Sequence, residues 1–128
     1  MGTETGTFRK EGDYWTIIHN GGEFRLRDAV GLRYIRLLLE RPGVKVSAAE
    51  LLAAAYERGE EPDRRSSGRS AELRAERVRQ SVQKAIKAAI ERIAVNDLLL
   101  GYHLARTLRT GVFCCYRPDR LKRISWET

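Results

Sequence analysis

Four side chains that can donate hydrogen bonds to DNA bases lie close together in the second half of the chain. They fall within two turns of a helix and are Arg77, Gln80, Ser81 and Lys84. In the major groove, arginine or lysine pairs with the two acceptors of guanine, and glutamine pairs with adenine. Arg74 and Lys87 flank this group and suit phosphate oxygens, which set affinity rather than sequence choice. These residue types predict base contacts framed by phosphate contacts.

An apolar stripe on the same segment indicates which way these donors face. The stripe comprises Val78, Val82, Ala85, Ile86, Ala89, Ile90 and Ile93. At 100° per residue, its members lie within about 80° of Val82. The pattern predicts a third helix over residues 70–94, with Gln80 and Lys84 about 160° from Val82 on the outer face. Leu73 falls on that polar side.

Arginines also accompany a predicted hairpin near the end of the chain. β-Forming residues lie on both sides of Thr110-Gly111, which predicts a hairpin over residues 106–116. An arginine on such a hairpin can enter the narrow minor groove or contact phosphates. The candidates for this role are Arg106, Arg109 and Arg117.

The positive charge of the chain is concentrated in these two segments. The 128 residues include 24 Lys+Arg and 17 Asp+Glu, a net charge of +7. Residues 64–92 contribute +6 and residues 101–128 contribute +4, whereas residues 1–63 contribute −2. This segregation favours a polyanionic partner. The alternative is an ordinary solvated helix face beside a basic hairpin.

Length and composition exclude several classes of protein. A chain of 128 residues forms one domain, with short tails at most. No apolar run approaches the roughly 20 residues that span a bilayer, and Met1–Thr7 is polar, unlike a signal peptide. The basic helix has no bulky aromatic anchor for a membrane surface. We therefore expect a cytoplasmic protein without a membrane partner.

Catalytic and metal-binding patterns are not evident. The two histidines and the adjacent Cys114-Cys115 pair lack the spacing of a zinc site. No phosphate loop, Ser/His/Asp set or carboxylate pair stands out. We expect neither enzyme activity nor a metal or other cofactor. Because neighbouring strand residues face opposite sides, one thiol is expected in the core and the other on the surface.

The first half of the chain predicts a scaffold for this segment. Residues 8–26 read as a hairpin around Asn20-Gly21, whose residues tolerate positive φ. Asp28 is expected to cap a first helix that ends at Glu40, before Pro42-Gly43. Ser47 is expected to cap a second helix, with Glu50 completing a capping box. The predicted core comprises Ile17, Leu37, Leu38, Leu52, Val82, Ile86 and Ile93.

The remaining segments have weaker patterns. Residues 57–70 consist of glycine, serine, proline and charged residues, with no apolar residue, and are expected to form a mobile loop. The secondary structure of residues 96–104 is ambiguous from the sequence. One interpretation is a short helix at Leu98–Leu100 capped by Asn96. The predicted organisation is a flexible tail at 1–7, a domain at 8–117 and a tail at 118–128. That last tail includes a short strand at Ile124–Trp126.

The order of these elements resembles the winged helix-turn-helix effector domains of the OmpR type. Residues 41–52, RPGVKVSAAELL, are similar to the usual link between the first two helices of that family. Residues 107–113, TLRTGVF, resemble its wing motif, with Thr110 and Val112 in place of the two glycines. The similarity covers most of residues 8–117. It is closer still to the C-terminal winged-helix module of large bacterial ATPase, cyclase or tetratricopeptide signalling proteins.

This resemblance implies an α+β fold, a winged helix-turn-helix with an N-terminal β-hairpin, three main helices and a C-terminal hairpin wing. It implies sequence-specific binding of double-stranded DNA in bacterial transcription regulation. Two copies are expected to pair on DNA, and a sensory or ATPase domain is an expected partner. The alternative function is a winged-helix protein-interaction module that does not bind DNA. Glu76 and Glu91, near the exposed face, would suit that alternative because they repel phosphate.

Overall fold

The order of strands and helices along the chain follows the sequence, with strands where β-forming residues cluster and helices where apolar residues recur at helical spacing. A computed structural model describes residues 4–56, 69–119 and 123–128. Within these residues the chain has an α+β architecture with four helices and seven strands. Their order is β1 (Glu4–Glu11), β2 (Tyr14–His19), β3 (Gly22–Arg27), α1 (Val30–Leu39), β4 (Val46–Ser47), α2 (Ala48–Ala55), α3 (Arg69–Asn96), α4 (Leu98–Thr107), β5 (Leu108–Arg109), β6 (Phe113–Tyr116) and β7 (Ile124–Glu127).

The first three strands and the last strand form one sheet, in the order β3-β2-β1-β7. The predicted turn between β2 and β3 is confirmed, since Asn20 and Gly21 have φ of 52° and 83°. A two-residue hairpin loop of type I′ has positive φ at both central positions. β7 joins the sheet parallel to β1, with Glu4 opposite Ile124 and Thr7 opposite Glu127.

The predicted tails are shorter than the sequence indicated. The flexible tail at 1–7 is wrong for residues 4–7, because they belong to β1 and pair with β7. The predicted strand at the end of the chain is confirmed as β7. Residues 57–68 of the predicted mobile loop lie outside the described residues, and residues 69 and 70 begin α3.

The carboxylate of Asp28 joins the sheet to the helices. It was predicted to cap α1, but the N-cap position is Ala29, which makes no side-chain capping bond. Instead Asp28 accepts hydrogen bonds from Trp15 Nε1 (2.8 Å) and from Arg33 Nη2 (2.6 Å). Arg33 Nη1 also donates to the carbonyl of Ala55 at the end of α2 (3.0 Å). Burial would raise the pKa of the Asp28 carboxyl, but these bonds and the charge of Arg33 outweigh it and hold the pKa below its ordinary value.

The predicted cap of the second helix is confirmed for the hydrogen bond that Ser47 accepts. The backbone N–H of Glu50 donates to Ser47 Oγ at 3.1 Å, and Ser47 has extended backbone angles. This bond satisfies one of the amide groups that a helix leaves without a partner at its start. Because Ser47 also belongs to β4, the cap ties the start of α2 to the edge of the second sheet.

The apolar stripe of α3 lies in the core as predicted. Val82, Ile86, Ala89 and Ile93 are almost completely buried, and the other members of the stripe are half-buried. Leu73 is 57% exposed on the polar side. The predicted core is confirmed at five of its seven positions, whereas Leu37 and Leu52 pack half-buried at its margin.

α1 and α3 cross closely at Gly31. A Cβ atom built on Gly31 would overlap the backbone carbonyl of Ala85 and lie 3.0 Å from the Cβ of Ala89. A side chain at position 31 would therefore push the two helices apart. The absence of a side chain brings the buried face of α3 directly against α1.

The expectation of three main helices is wrong, because α4 is a full helix of ten residues. Asp97, rather than Asn96, caps it: Asp97 Oδ1 accepts a hydrogen bond from the N–H of Leu100 (3.0 Å). The other carboxylate oxygen of Asp97 is hydrogen-bonded to Nδ1 of His19, at 3.0 Å. Gly101 allows α4 to approach α3, since a Cβ there would lie 2.5 Å from the Cβ of Ala94.

The predicted C-terminal hairpin is confirmed as β5 and β6, although it begins at Leu108 rather than at residue 106. With β4 it forms a second sheet, in the order β4-β6-β5. The expectation of one buried and one surface thiol is wrong. Cys114 and Cys115 are 1% and 5% exposed, because β6 is the central strand and both of its faces are covered.

We expect Ile86→Ala to lower the free energy of unfolding by about 2–5 kcal/mol. Ile86 is 1% exposed at the centre of the α3 stripe, so the change leaves a cavity that the packed neighbours cannot fill. Denaturant unfolding followed by circular dichroism measures the loss. Lys87→Ala is the control, since an exposed substitution next to it should change stability by less than about 0.5 kcal/mol.

We expect Asp28→Asn to lower the free energy of unfolding by about 1–3 kcal/mol at neutral pH, the range for hydrogen bonds to a charged group. Because folding lowers the pKa of Asp28, its stabilising effect is complete above the pKa of the unfolded chain. It is lost as the pH falls through the lower pKa of the folded state. The difference between parent and variant should therefore be constant above about pH 5 and shrink below about pH 4. Asp13→Asn, an exposed change in a turn, is the control; a pH-independent difference for Asp28→Asn would contradict the role of its charge.

Candidate nucleic-acid interface

The outer face of α3 carries the predicted base-contacting residues in one solvent-exposed row. Its members are all exposed and are Arg77, Gln80, Ser81 and Lys84, followed one turn later by Lys87. At 1.5 Å of rise per residue, Arg77 and Lys87 lie about 15 Å apart along the helix. The opposite side of α3 is buried against α1, so this row faces away from the core.

An acidic residue, Glu76, lies at the start of the row. Glu76 accepts a hydrogen bond from Gln80 Nε2 (3.3 Å) and forms an ion pair with Arg79. Arg79, which was not predicted from the sequence to be a site residue, is half-buried beside the row. The i,i+3 spacing of Glu76 and Arg79 was the signal for this pair. The amide of Gln80 must therefore leave Glu76 before it can contact a base.

A groove of about 310 Å³ lies between α3 and the start of the β5–β6 hairpin. Its floor is apolar and its edges are polar. From α3 it is lined by Gln83, Ile86, Lys87, Ile90 and Glu91, and from the opposite side by Ala105, Leu108 and Thr110. The groove places Lys87 across from Leu108 and Thr110, the two neighbours of Arg109 in the chain, so the end of the outer row and the hairpin border the same groove.

The arginines predicted around the hairpin do not all lie together. Arg109 is exposed on β5, opposite Cys115. Arg117 is exposed just after β6, where its backbone N–H donates to the carbonyl of Thr107 (2.8 Å). The placement of Arg106 in the hairpin is wrong, because the helix α4 extends to Thr107. Arg106 lies over the ring of Tyr102 (5.5 Å), on a face of α4 that turns away from the groove.

The flanking phosphate candidates differ in exposure. Lys87 is exposed and borders the groove, whereas Arg74 is half-buried near the start of α3. The structure thus keeps the row from Arg77 to Lys87 on one face of α3, with Arg74 half-buried before it, whereas Arg109 and Arg117 belong to the hairpin and are not among the residues that line the groove. It separates Arg106 from them.

A buried polar network anchors the β5–β6 hairpin. The Tyr116 hydroxyl accepts a hydrogen bond from Trp126 Nε1 (3.3 Å) and is hydrogen-bonded to Nε2 of His103 (2.9 Å). Burial raises the pKa of Tyr116, so the hydroxyl stays protonated. This network joins β6, α4 and β7 and holds the hairpin against the body of the protein.

Three further observations concern the Cys114 thiol, possible metal ligands and the apolarity of the helices. Burial raises the pKa of the Cys114 thiol, which disfavours the reactive thiolate. In residues 4–56, 69–119 and 123–128, no three potential ligands lie close enough together to bind a metal ion. None of the helices in these ranges is both long and apolar enough to cross a bilayer.

Comparison of the chain with protein-family models, with curated proteins and with solved structures finds no match.

We expect Glu76→Gln to strengthen binding to a polyanion about three- to fivefold. The change removes a negative charge from the outer row of α3 and releases Arg79, and a unit charge near a phosphate contributes on the order of 1 kcal/mol in water. Heparin chromatography on a salt gradient measures the effect as elution at higher salt. Glu11→Gln, an exposed change on β1, is the control with the same change in net charge. If the two variants eluted together, only the net charge would matter, and the α3 row would not be the binding surface.

Proposed function

We propose that this chain is a winged helix-turn-helix protein that binds double-stranded DNA in bacterial transcription regulation, in the cytoplasm. The observation that carries the proposal is the division of α3 into two faces. One face is locked into the core by Val82, Ile86 and Ile93, and the other presents only side chains that water can reach. That outer face bears the donors that base edges require.

The arrangement of the second sheet supports the winged-helix proposal. β4 lies between α1 and α2, and it pairs with β6, the second strand of the hairpin. The hairpin then takes the place of the wing, beside the groove that α3 borders. α4 departs from the family pattern, since it lies between α3 and the hairpin and packs on α3 near Gly101.

In this proposal the outer row of α3 enters the major groove. A major groove about 12 Å wide accepts one helix, and Arg77, Gln80, Ser81 and Lys84 would meet base edges. Phosphate or minor-groove contacts would come from residues at the margins of the row and on the hairpin, namely Arg74, Lys87, Arg109 and Arg117. Arg106 has no part in this surface because α4 turns it elsewhere. The proposal involves no catalysis and no cofactor.

Pairing of two copies on DNA belongs to the same proposal. A single recognition helix reads a short half-site, and regulators gain affinity when two helices bind neighbouring half-sites. We expect the chain to pair on DNA, and a sensory or ATPase domain to supply its signal. A footprint of one copy on the best site would contradict the pairing.

The second candidate function is a protein-interaction module. Glu76 and Glu91 favour it, because both lie along the exposed side of α3 where they would repel phosphates. Selection from a random-sequence DNA pool at two salt concentrations separates the two functions. Enrichment of a motif supports DNA recognition. Failure to retain DNA even at low salt favours the protein-interaction module.

We expect Gln80→Ala or Lys84→Ala to relax the preference at one or two base pairs, at a loss of about 1–3 kcal/mol on the best site. Arg109→Ala should instead weaken binding to every sequence and lower the salt slope by about one unit. Competition binding against single-base variants of the selected site measures both effects. If a Gln80/Lys84 double alanine variant kept the sequence preference of the parent, α3 would not be the reading helix.

A further inference from the structure

Four large apolar side chains are exposed where α3 turns into α4. Val95 is 87% exposed, Leu98 74%, Leu99 65% and Tyr102 62%. Leu98, Leu99 and Tyr102 lie on one face of α4 because they are spaced i, i+1 and i+4, and Val95 lies three residues before them at the end of α3, so the four are described together as one patch. Contiguous apolar patches of this kind mark interaction sites on soluble domains.

Two clefts flank Leu99 and extend this patch into a groove, here called the α4 groove. The first cleft, of about 480 Å³, separates the β2–β3 turn, including Phe24, from the α3–α4 turn. The second, of about 190 Å³, separates α4 from Glu4 and Ile124 at the starts of β1 and β7. Both clefts are lined by His19, Asn20 and Leu99, so they meet at this point.

The floor of the α4 groove is held in place before any partner binds. Asp97 caps α4 through one carboxylate oxygen and holds His19 through the other. His19 is 6% exposed and stacks on Trp126 with ring centroids 6.4 Å apart. A preformed surface lowers the entropy that binding must overcome.

The charge of the α4 groove is opposite to that of the protein as a whole. Its lining includes the acidic residues Glu4, Glu23 and Asp97, and one basic residue, Arg106. The guanidinium of Arg106 lies over Tyr102 and 4.0 Å from the carboxylate of Asp119. An acidic, apolar groove on a chain of net charge +7 repels nucleic acid and attracts a basic partner.

We propose that the α4 groove binds an amphipathic, basic segment of another protein. Apolar side chains of that segment would cover Leu98, Leu99 and Tyr102, and its lysines or arginines would face Glu4 and Glu23. A second copy of the chain fits less well, because two copies joined symmetrically through this surface would bring their acidic edges together. The proposal goes beyond DNA binding and holds whether or not α3 binds DNA.

The two surfaces leave room for both partners. The basic row ends at Lys87, eight positions and about 12 Å of helix rise before Val95. The basic row therefore ends before the apolar patch begins, with Glu91 between them. A segment in the α4 groove would sit at the end of the DNA-binding surface proposed above, not across it.

Fluorescence anisotropy with two designed peptides tests the proposal. The probe is a labelled 18-residue amphipathic helix of leucine and lysine, and the matched peptide has glutamate at every lysine. We expect the full chain to bind the lysine peptide at least about tenfold more tightly than the glutamate peptide, through opposite charge at the rim. Equal binding of the two peptides would overturn the proposal.

Matched variants locate the binding surface. Leu98→Ser with Leu99→Ser should weaken binding of the lysine peptide at least about tenfold, because two apolar anchors are lost. Leu73→Ser changes another exposed leucine on α3 and should leave binding unchanged. Glu23→Lys should weaken binding about three- to tenfold at low salt and less at high salt, since it reverses a rim charge. All these side chains are exposed, so the melting temperatures of the variants should match the parent.

Two further results would overturn the proposal. If Leu73→Ser weakened peptide binding as much as the paired serine change, the peptide would bind exposed leucines without a site. If sedimentation velocity showed a dimer of the parent chain that Leu98→Ser with Leu99→Ser converts to a monomer, the occupant would be a second copy. Neither result depends on DNA, so failure here and failure of the DNA-binding proposal can be told apart.

Discussion

The close crossing of α1 and α3 at Gly31 is the contact on which the rest of the structure depends. Because residue 31 has no side chain, the backbone of α1 lies directly against the turn of α3 that contains Ala85. This contact sets the rotation of α3 about its own axis. The stripe around Ile86 must then face the core, and the polar row must face water. A small rotation of α3 would bury a lysine or expose an isoleucine. The packing of the apolar stripe and the exposure of the polar row therefore depend on the same contact.

α3 also separates two surfaces of opposite character along its length. Its first part presents arginine, glutamine and lysine, whereas its end leads into the apolar patch and the acidic groove beside α4. Asp97 lies at the boundary, where it both begins α4 and holds His19 of the first sheet. The same carboxylate therefore positions the helix that bears the patch and the strand that completes the groove. In the two proposals above, these surfaces would serve two partners of different charge.

Local patterns in the sequence predicted local structure well. The spacing from Val78 to Ile93 defined the buried side of α3, and Asn20-Gly21 defined the hairpin turn, because both depend on neighbouring residues. Features that depend on distant residues were missed. The pairing of β1 with β7 joins residues more than 110 positions apart, and Asp28 bonds Trp15 and Arg33 instead of capping a helix. α4 was ambiguous because its exposed leucines break the usual amphipathic pattern, and Arg106 was misplaced as a result.

The parallel pairing of β1 and β7 also determines how the domain bears mechanical load. Glu4 lies beside Ile124 and Thr7 beside Glu127, so the chain enters at one end of this strand pair and leaves at the other. Tension applied through both chain ends would slide the strands past each other along their length. All the hydrogen bonds between them would then resist together, in shear, instead of opening one at a time. Because Trp126 packs against Gly6 across the same pair, sliding the strands would also have to break that contact.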